Sequence, residues 1–157
     1  MAMEQQNRRV VTASRLIHAS PETIFALIAD PARQPEWDGN DNLASSDNGQ
    51  RITSVGDSFT MTLTQGAERV NHVVEFDEGR RIAWKPAPHG EAPPGHLWRW
   101  ELNKGEGNAT LVTHTYDWTE LNDETRLPRA RTTRSNDLHL SLVQLAALAE
   151  QMDNHED

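Results

Sequence analysis

Apolar residues change their spacing three times along this chain, and each change marks a new kind of element. Over residues 8–18 β-branched and alternating positions predict a strand, which stops at Ala19-Ser20-Pro21-Glu22. Ser20 can cap a helix there, and Pro21 suits its first turn. Ile24, Phe25, Leu27 and Ile28 then form one helical face. That helix must end by Asp30-Pro31, because proline disfavours α geometry in the residue before it. A second short helix is expected over 31–37. The turn-rich stretch 38–42 leads to a short strand at 43–46.

Residues 55–119 read as a meander of strands, since turn signals recur between segments of period-two alternation. In its first strand Phe59, Met61 and Leu63 share a face opposite Ser58, Thr60, Thr62 and Thr64. That is the pattern of a half-buried strand. The same rule puts Val70, His72, Val74 and Phe76 inward on the second strand, and Ile82 and Trp84 on the third. His96, Trp98, Trp100 and Leu102 follow on the fourth, and Thr110, Val112, His114, Tyr116 and Trp118 on the fifth. Pairing Leu102 near Thr110 sets Trp98 opposite His114 and His96 opposite Tyr116. The other face, with Arg99, Glu101, Thr113, Thr115 and Asp117, reads as solvated.

After a polar connection over 122–134, Leu138, Leu142, Leu145, Ala149 and Met152 recur at spacings of four and three, one stripe of a long helix. Ser135 or Asn136 can cap it, and Asp137 favours its dipole. Leu140 and Val143 project from its outer side, which permits a homodimer without requiring one. Strand, short helices, strands and one long helix make an α+β domain. A single domain is expected over 8–152, with 1–7 and 153–157 as flexible termini; 157 residues can bury roughly 70% of their unfolded surface in one domain.

Composition narrows the partners. With 24 acidic against 15 basic residues the net charge is −9, which repels phosphate backbones and anionic lipid. Nucleic acid and membrane insertion are therefore not expected, and a small molecule is. Zero cysteines exclude disulfides and thiolate metal sites. No segment approaches the ~20 apolar residues of a membrane span, and no signal peptide opens the chain, so a cytoplasmic protein is expected.

The order of elements, with particular residues in it, resembles the START/Bet v 1-like (helix-grip) superfamily, and within it the bacterial polyketide cyclase/dehydrase-like branch. The likeness is carried by Ser14 to Phe25, by Pro35-Glu36-Trp37-Asp38-Gly39 and by Val55-Gly56-Asp57-Ser58-Phe59. Val74 to Trp84, Trp98 to Leu102 and Thr113 to Trp118 extend it over most of the chain. The resemblance implies a curved seven-stranded antiparallel sheet gripping the C-terminal helix, with two short helices closing one end of a cavity. It also implies a hydrophobic ligand, since members bind lipids, sterols, hormones or polyketides and only some are enzymes.

The residues expected to face that ligand are Phe59, Met61, His72, Trp84, His96, Trp98, Trp100, His114 and Tyr116. An imidazole can orient a carbonyl or move a proton near neutral pH, and an aromatic plane stacks without demanding a fixed partner. A metal site is not expected, because three histidine rings on strands at different depths rarely converge within ~2.1 Å of one ion. Asp38 is expected to stabilise its turn rather than reach a ligand. The segment 85–95 is long enough for a lid, and Arg126, Arg129, Arg131 and Arg134 are assigned to neighbouring carboxylates or a partner's acidic surface. No phosphate loop, nucleophile elbow or zinc motif is present and no cofactor is expected. A binder of a small hydrophobic or aromatic metabolite is the leading reading. A cyclase or dehydratase using an interior histidine and a protein-interaction module of the chaperone-activator type are its rivals.

Overall fold

A computed structural model describes residues 9–155. Seven strands, β1 (Val10–Ile17), β2 (Leu43–Ser45), β3 (Ser58–Leu63), β4 (Glu68–Asp77), β5 (Arg81–Pro88), β6 (Leu97–Lys104) and β7 (Thr110–Asp117), form one antiparallel sheet. Its spatial order is β1-β7-β6-β5-β4-β3-β2. Helix α1 (Pro21–Ala29), a 3₁₀ turn (Pro31–Arg33) and α2 (Gln34–Trp37) occupy the link from β1 to β2. Helices α3 (Leu127–Thr132) and α4 (Ser135–His155) follow β7, and the curved sheet grips α4. The α+β helix-grip architecture is the one expected.

Ser20 caps α1 by accepting the Thr23 amide at 3.2 Å. The far end of that helix is closed from α2: Gln34 Nε2 donates to the Ile28 carbonyl at 3.0 Å and Trp37 Nε1 to the Leu27 carbonyl at 2.9 Å. Terminal carbonyls that would otherwise be orphaned are thus satisfied. The stripe on α4 is buried as its spacing predicts, with Leu138, Leu142, Leu145 and Ala149 at 2% exposure or less. Ser135 does not cap α4; its hydroxyl donates to the Thr12 carbonyl on β1, while Asp137 accepts the Arg134 amide.

The long helix continues past the expected end at Met152. Asp153 accepts from the Ser20 amide at 2.8 Å, the Thr23 hydroxyl at 2.5 Å and Asn108 Nδ2 at 3.0 Å, which ties the helix end to α1 and the β6–β7 turn. Residues 1–7, expected to be flexible, lie outside the described residues, as do 156 and 157.

Two expectations about register are corrected. The β6–β7 hairpin is offset by two residues from the expected pairing: Lys104 faces Thr110, Trp100 faces His114 and Trp98 faces Tyr116. Strand β6 runs on to Lys104 before the chain reverses, and a shift of two leaves every side chain on its face. The second correction changes faces. On β4, Val73 pairs with Trp84 but Glu75 pairs with Ala83, so Val74 is an extra, unpaired residue. This bulge reverses the alternation. Before it Arg69, Asn71 and Val73 face inward, and Val70 and His72 face out; after it only Phe76 keeps the expected inward side.

Candidate functional site

Between the concave sheet and the segment that carries α2, α3 and the start of α4 lies a cavity of about 920 Å³. One wall is aromatic. Trp98 stacks on Tyr116 at 4.3 Å and lies 5.4 Å from His114, which stacks on Trp100 at 3.6 Å. Cross-strand pairing on one face of β6 and β7 produces this ladder, because residues two apart on each strand point the same way. Trp84 and Met61 extend the wall toward β3, and Trp37 meets Trp100 edge-on at 5.1 Å.

Of the nine residues expected to face a ligand, seven line this cavity: Met61, Trp84, His96, Trp98, Trp100, His114 and Tyr116. Phe59 is buried behind the wall, edge-on to Trp84 at 5.3 Å. His72 is on the outer face, between Ser58 and Lys85 in the ladder, because of the β4 bulge. The three histidines therefore cannot converge on one ion.

The bulge brings in two residues that strict alternation had excluded, Arg69 and Asn71. The doubled β-branched pair Val73-Val74 is the only local sign of it. Arg126 and Arg129, from the turn before α3 and from α3 itself, also stand in the cavity wall instead of facing only carboxylates or a partner. Strand β5 extends to Pro88 and shortens the presumed lid: Pro86 and His96 border the cavity, whereas His89 to Gly95 do not. Asp38 contributes to the rim, but its carboxylate is engaged by the amides of Asn40, Asn42 and Leu43 at 3.1, 2.7 and 2.8 Å, the turn role expected of it.

The imidazoles and the phenol of the wall are electrically quiet. His114 Nδ1 donates to the Arg99 carbonyl at 3.1 Å, which leaves Nε2 as the ring's acceptor. Burial pushes its pKa down to about 3. His96 is pushed down to about 4 by burial and then by the positive charges of Arg126, Arg69 and Arg129. Burial raises the Tyr116 phenol to about 12, against the opposing pull of Arg129 and Arg126. At neutral pH all three are uncharged hydrogen-bonding groups. The indole N–H of Trp100 and Nδ1 of His96 are buried with no partner among the described residues.

Residues 8–150 match the family model described as polyketide cyclase / dehydrase and lipid transport. Two curated relatives, uncharacterized proteins from two strains of Mycobacterium tuberculosis, are 29% and 31% identical over 111 and 112 residues. The match takes in 69% of this chain but 47% of each relative, so the chain spans about half the length of the curated relatives it matches. Among solved structures, a START superfamily protein from Mycobacterium smegmatis superposes with a TM-score of 0.68 at 16% identity, covering 91% of this chain and 98% of that one. Protein MLL2253 from Mesorhizobium loti gives 0.68 at 17% identity, covering 92% and 99%. The Aha1 dimer from Colwellia psychrerythraea gives 0.60 at 20% identity, covering 90% and 96%. At these identities the structural likenesses speak for the fold.

Proposed function

This chain belongs to the polyketide cyclase / dehydrase and lipid transport family, and we propose that it binds a small, largely apolar metabolite in the cavity between sheet and helix without transforming it. The observation that carries this reading is the open cavity itself, about 920 Å³ with Met61, Trp84, Trp98 and Tyr116 in its wall. Its size is that of a site for one small ligand, and its mix of apolar planes with a few convergent polar groups is the composition such sites have. An interaction module that worked only through its outer surface would have no use for a void, which costs packing energy.

The enzymatic alternative is less well supported, for a reason of proton affinity. A general base works best with a pKa near the operating pH. His114, held near 3, and His96, held near 4, are poor bases and are unprotonated as acids at pH 7. They suit hydrogen bonding to a ligand carbonyl or hydroxyl better than proton transfer. The reading is tested by native mass spectrometry of the protein purified from its own host, where a co-purifying mass of a few hundred daltons is expected. A bare polypeptide mass, together with unchanged tryptophan fluorescence across a panel of aromatic and aliphatic small molecules, would overturn it.

A further inference from the structure

We propose that the ligand of this cavity is an anion, an apolar body carrying a carboxylate or similar head, with Arg69, Arg126 and Arg129 holding the head and the Trp98–Tyr116 stack holding the body. The inference rests on the binding reading above and adds the chemistry of the ligand. In a chain of net charge −9, three guanidinium groups share one cavity wall. Burial and then the charges of Arg126 and Arg129 depress the basicity of Arg69, so the cluster is close enough for its members to feel one another.

The partners of these arginines differ from those on the outer face of the sheet. There Arg99 is clasped by Glu75 at 2.6 Å and Arg81 by Glu101 at 2.9 Å. In the cavity, Arg126 is paired with Asp123 at 3.1 Å, but Arg69 donates to the Glu68 carbonyl at 3.0 Å and Arg129 to Asn42 Oδ1 at 3.2 Å. Neither has a carboxylate within ion-pair distance among the described residues. Asp38, Asp41 and Asp137 also border the cavity, and Asp38 and Asp137 are already engaged by backbone amides. Arg69 is partly buried and Arg129 is exposed beside it, so an anion entering the cavity meets two guanidiniums that no carboxylate already holds, and guanidinium geometry matches a carboxylate.

Since arginine keeps its charge at any accessible pH and His96 stays neutral, anion binding should hold steady from pH 6 to 9.

The test uses the full chain and matched probes of equal shape, naphthalene-2-acetate against naphthalene-2-acetamide and decanoate against decanamide, with affinity read by calorimetry. At least one acid should bind tenfold or more tightly than its amide, with the advantage shrinking as salt rises from 50 to 500 mM. Arg129→Gln should weaken the acid fivefold or more and leave the amide unchanged, whereas Arg129→Lys should retain most of the preference. Thermal melts of both variants confirm that they fold. Amides that bind as well as their acids, or an Arg129→Gln variant that weakens both alike, would overturn the anion inference and leave the cavity reading standing. If none of the four probes binds, the anion inference falls, and the binding reading stands or falls on the native mass measurement and the wider panel.

Discussion

The two halves of the space between sheet and helix are built on different principles. Toward α1, the interior is closed by side chains alone: Ile17, Ile24, Phe25, Ile28, Ile82, Val112, Leu145 and Ala149 are at most 1% exposed. Toward α2 and α3, the same sheet and helix stand apart over a cavity, and loops bridge them through hydrogen bonds such as Gly39 N to Ser141 Oγ at 3.1 Å and Asn40 Nδ2 to the Asp137 carbonyl at 2.9 Å. Packing supplies stability in the first half. The second half forgoes some of that packing and keeps aromatic planes, neutral imidazoles and arginines facing a void. Stability and binding should therefore respond to mutation in different places.

The largest effect belongs to the closed half. Leu142 on α4 is fully buried, and Leu142→Ala should destabilise the fold by about 2 to 5 kcal/mol, from lost transfer energy and the cavity left behind. Denaturant unfolding measures it. A loss under about 0.5 kcal/mol would mean that α4 does not anchor the core through this face.

The second effect lies at the rim of the open half. A Cβ on Gly39 would sit 2.5 Å from the Leu140 carbonyl carbon and 2.7 Å from the Ser141 nitrogen, both backbone atoms that cannot swing away. Gly39→Ala should cost about 1 to 3 kcal/mol by forcing the loop off α4. It should also weaken any ligand of the cavity, since Asp38 and Asn40 border it. Wild-type melting behaviour in this variant would show that the loop and helix are not so closely apposed.

The same contrast explains what could be read from sequence. The closed half was legible because its residues obey one period at a time: the α4 stripe from Leu138 to Ala149, and the α1 face of Ile24, Phe25, Leu27 and Ile28. The aromatic ladder was legible too, since an error of two in hairpin register leaves faces intact. What escaped was non-local. The β4 bulge exchanges His72 for Arg69 and Asn71, and pairing with β5 is what reveals it. The arginines of the α3 region reach the cavity through a polar connection whose path has no periodicity to follow.

His114 lies where the two halves meet, and pH probes it. Its pKa falls from an ordinary 6.5 to about 3 on folding, through burial. Below pH 6.5 the unfolded chain takes up a proton at this ring that the folded chain refuses, so stability is complete above that pH and declines as pH falls toward 3. The slope per site is roughly 1.4 kcal/mol per pH unit. His114→Phe keeps a ring between Trp98 and Trp100 and removes the proton site. Its stability between pH 6.5 and 4 should therefore fall less steeply than the wild type by about that slope, whatever its absolute stability. Parallel curves for the two proteins would show that His114 is not held neutral by burial.

The smallest effect on the fold should come with the clearest effect on binding. Trp98 is half-buried, lines the cavity and stacks on Tyr116 and His114, both more buried than itself. Removing its ring enlarges a void already open to solvent instead of creating a sealed one, so Trp98→Ala should cost less stability than Leu142→Ala. An aromatic ligand, however, loses a face to stack on. Aromatic contacts are worth about 0.5 to 1.5 kcal/mol beyond the area they bury, and the lost area adds to this, so affinity for naphthalene-2-acetate should fall about tenfold or more. Calorimetry on the variant beside its melting curve separates the two quantities. A variant that unfolds as readily as Leu142→Ala would place Trp98 in the packed core. Unchanged affinity in a stable variant would move the ligand away from the aromatic wall and erase the division between a half that packs and a half that binds.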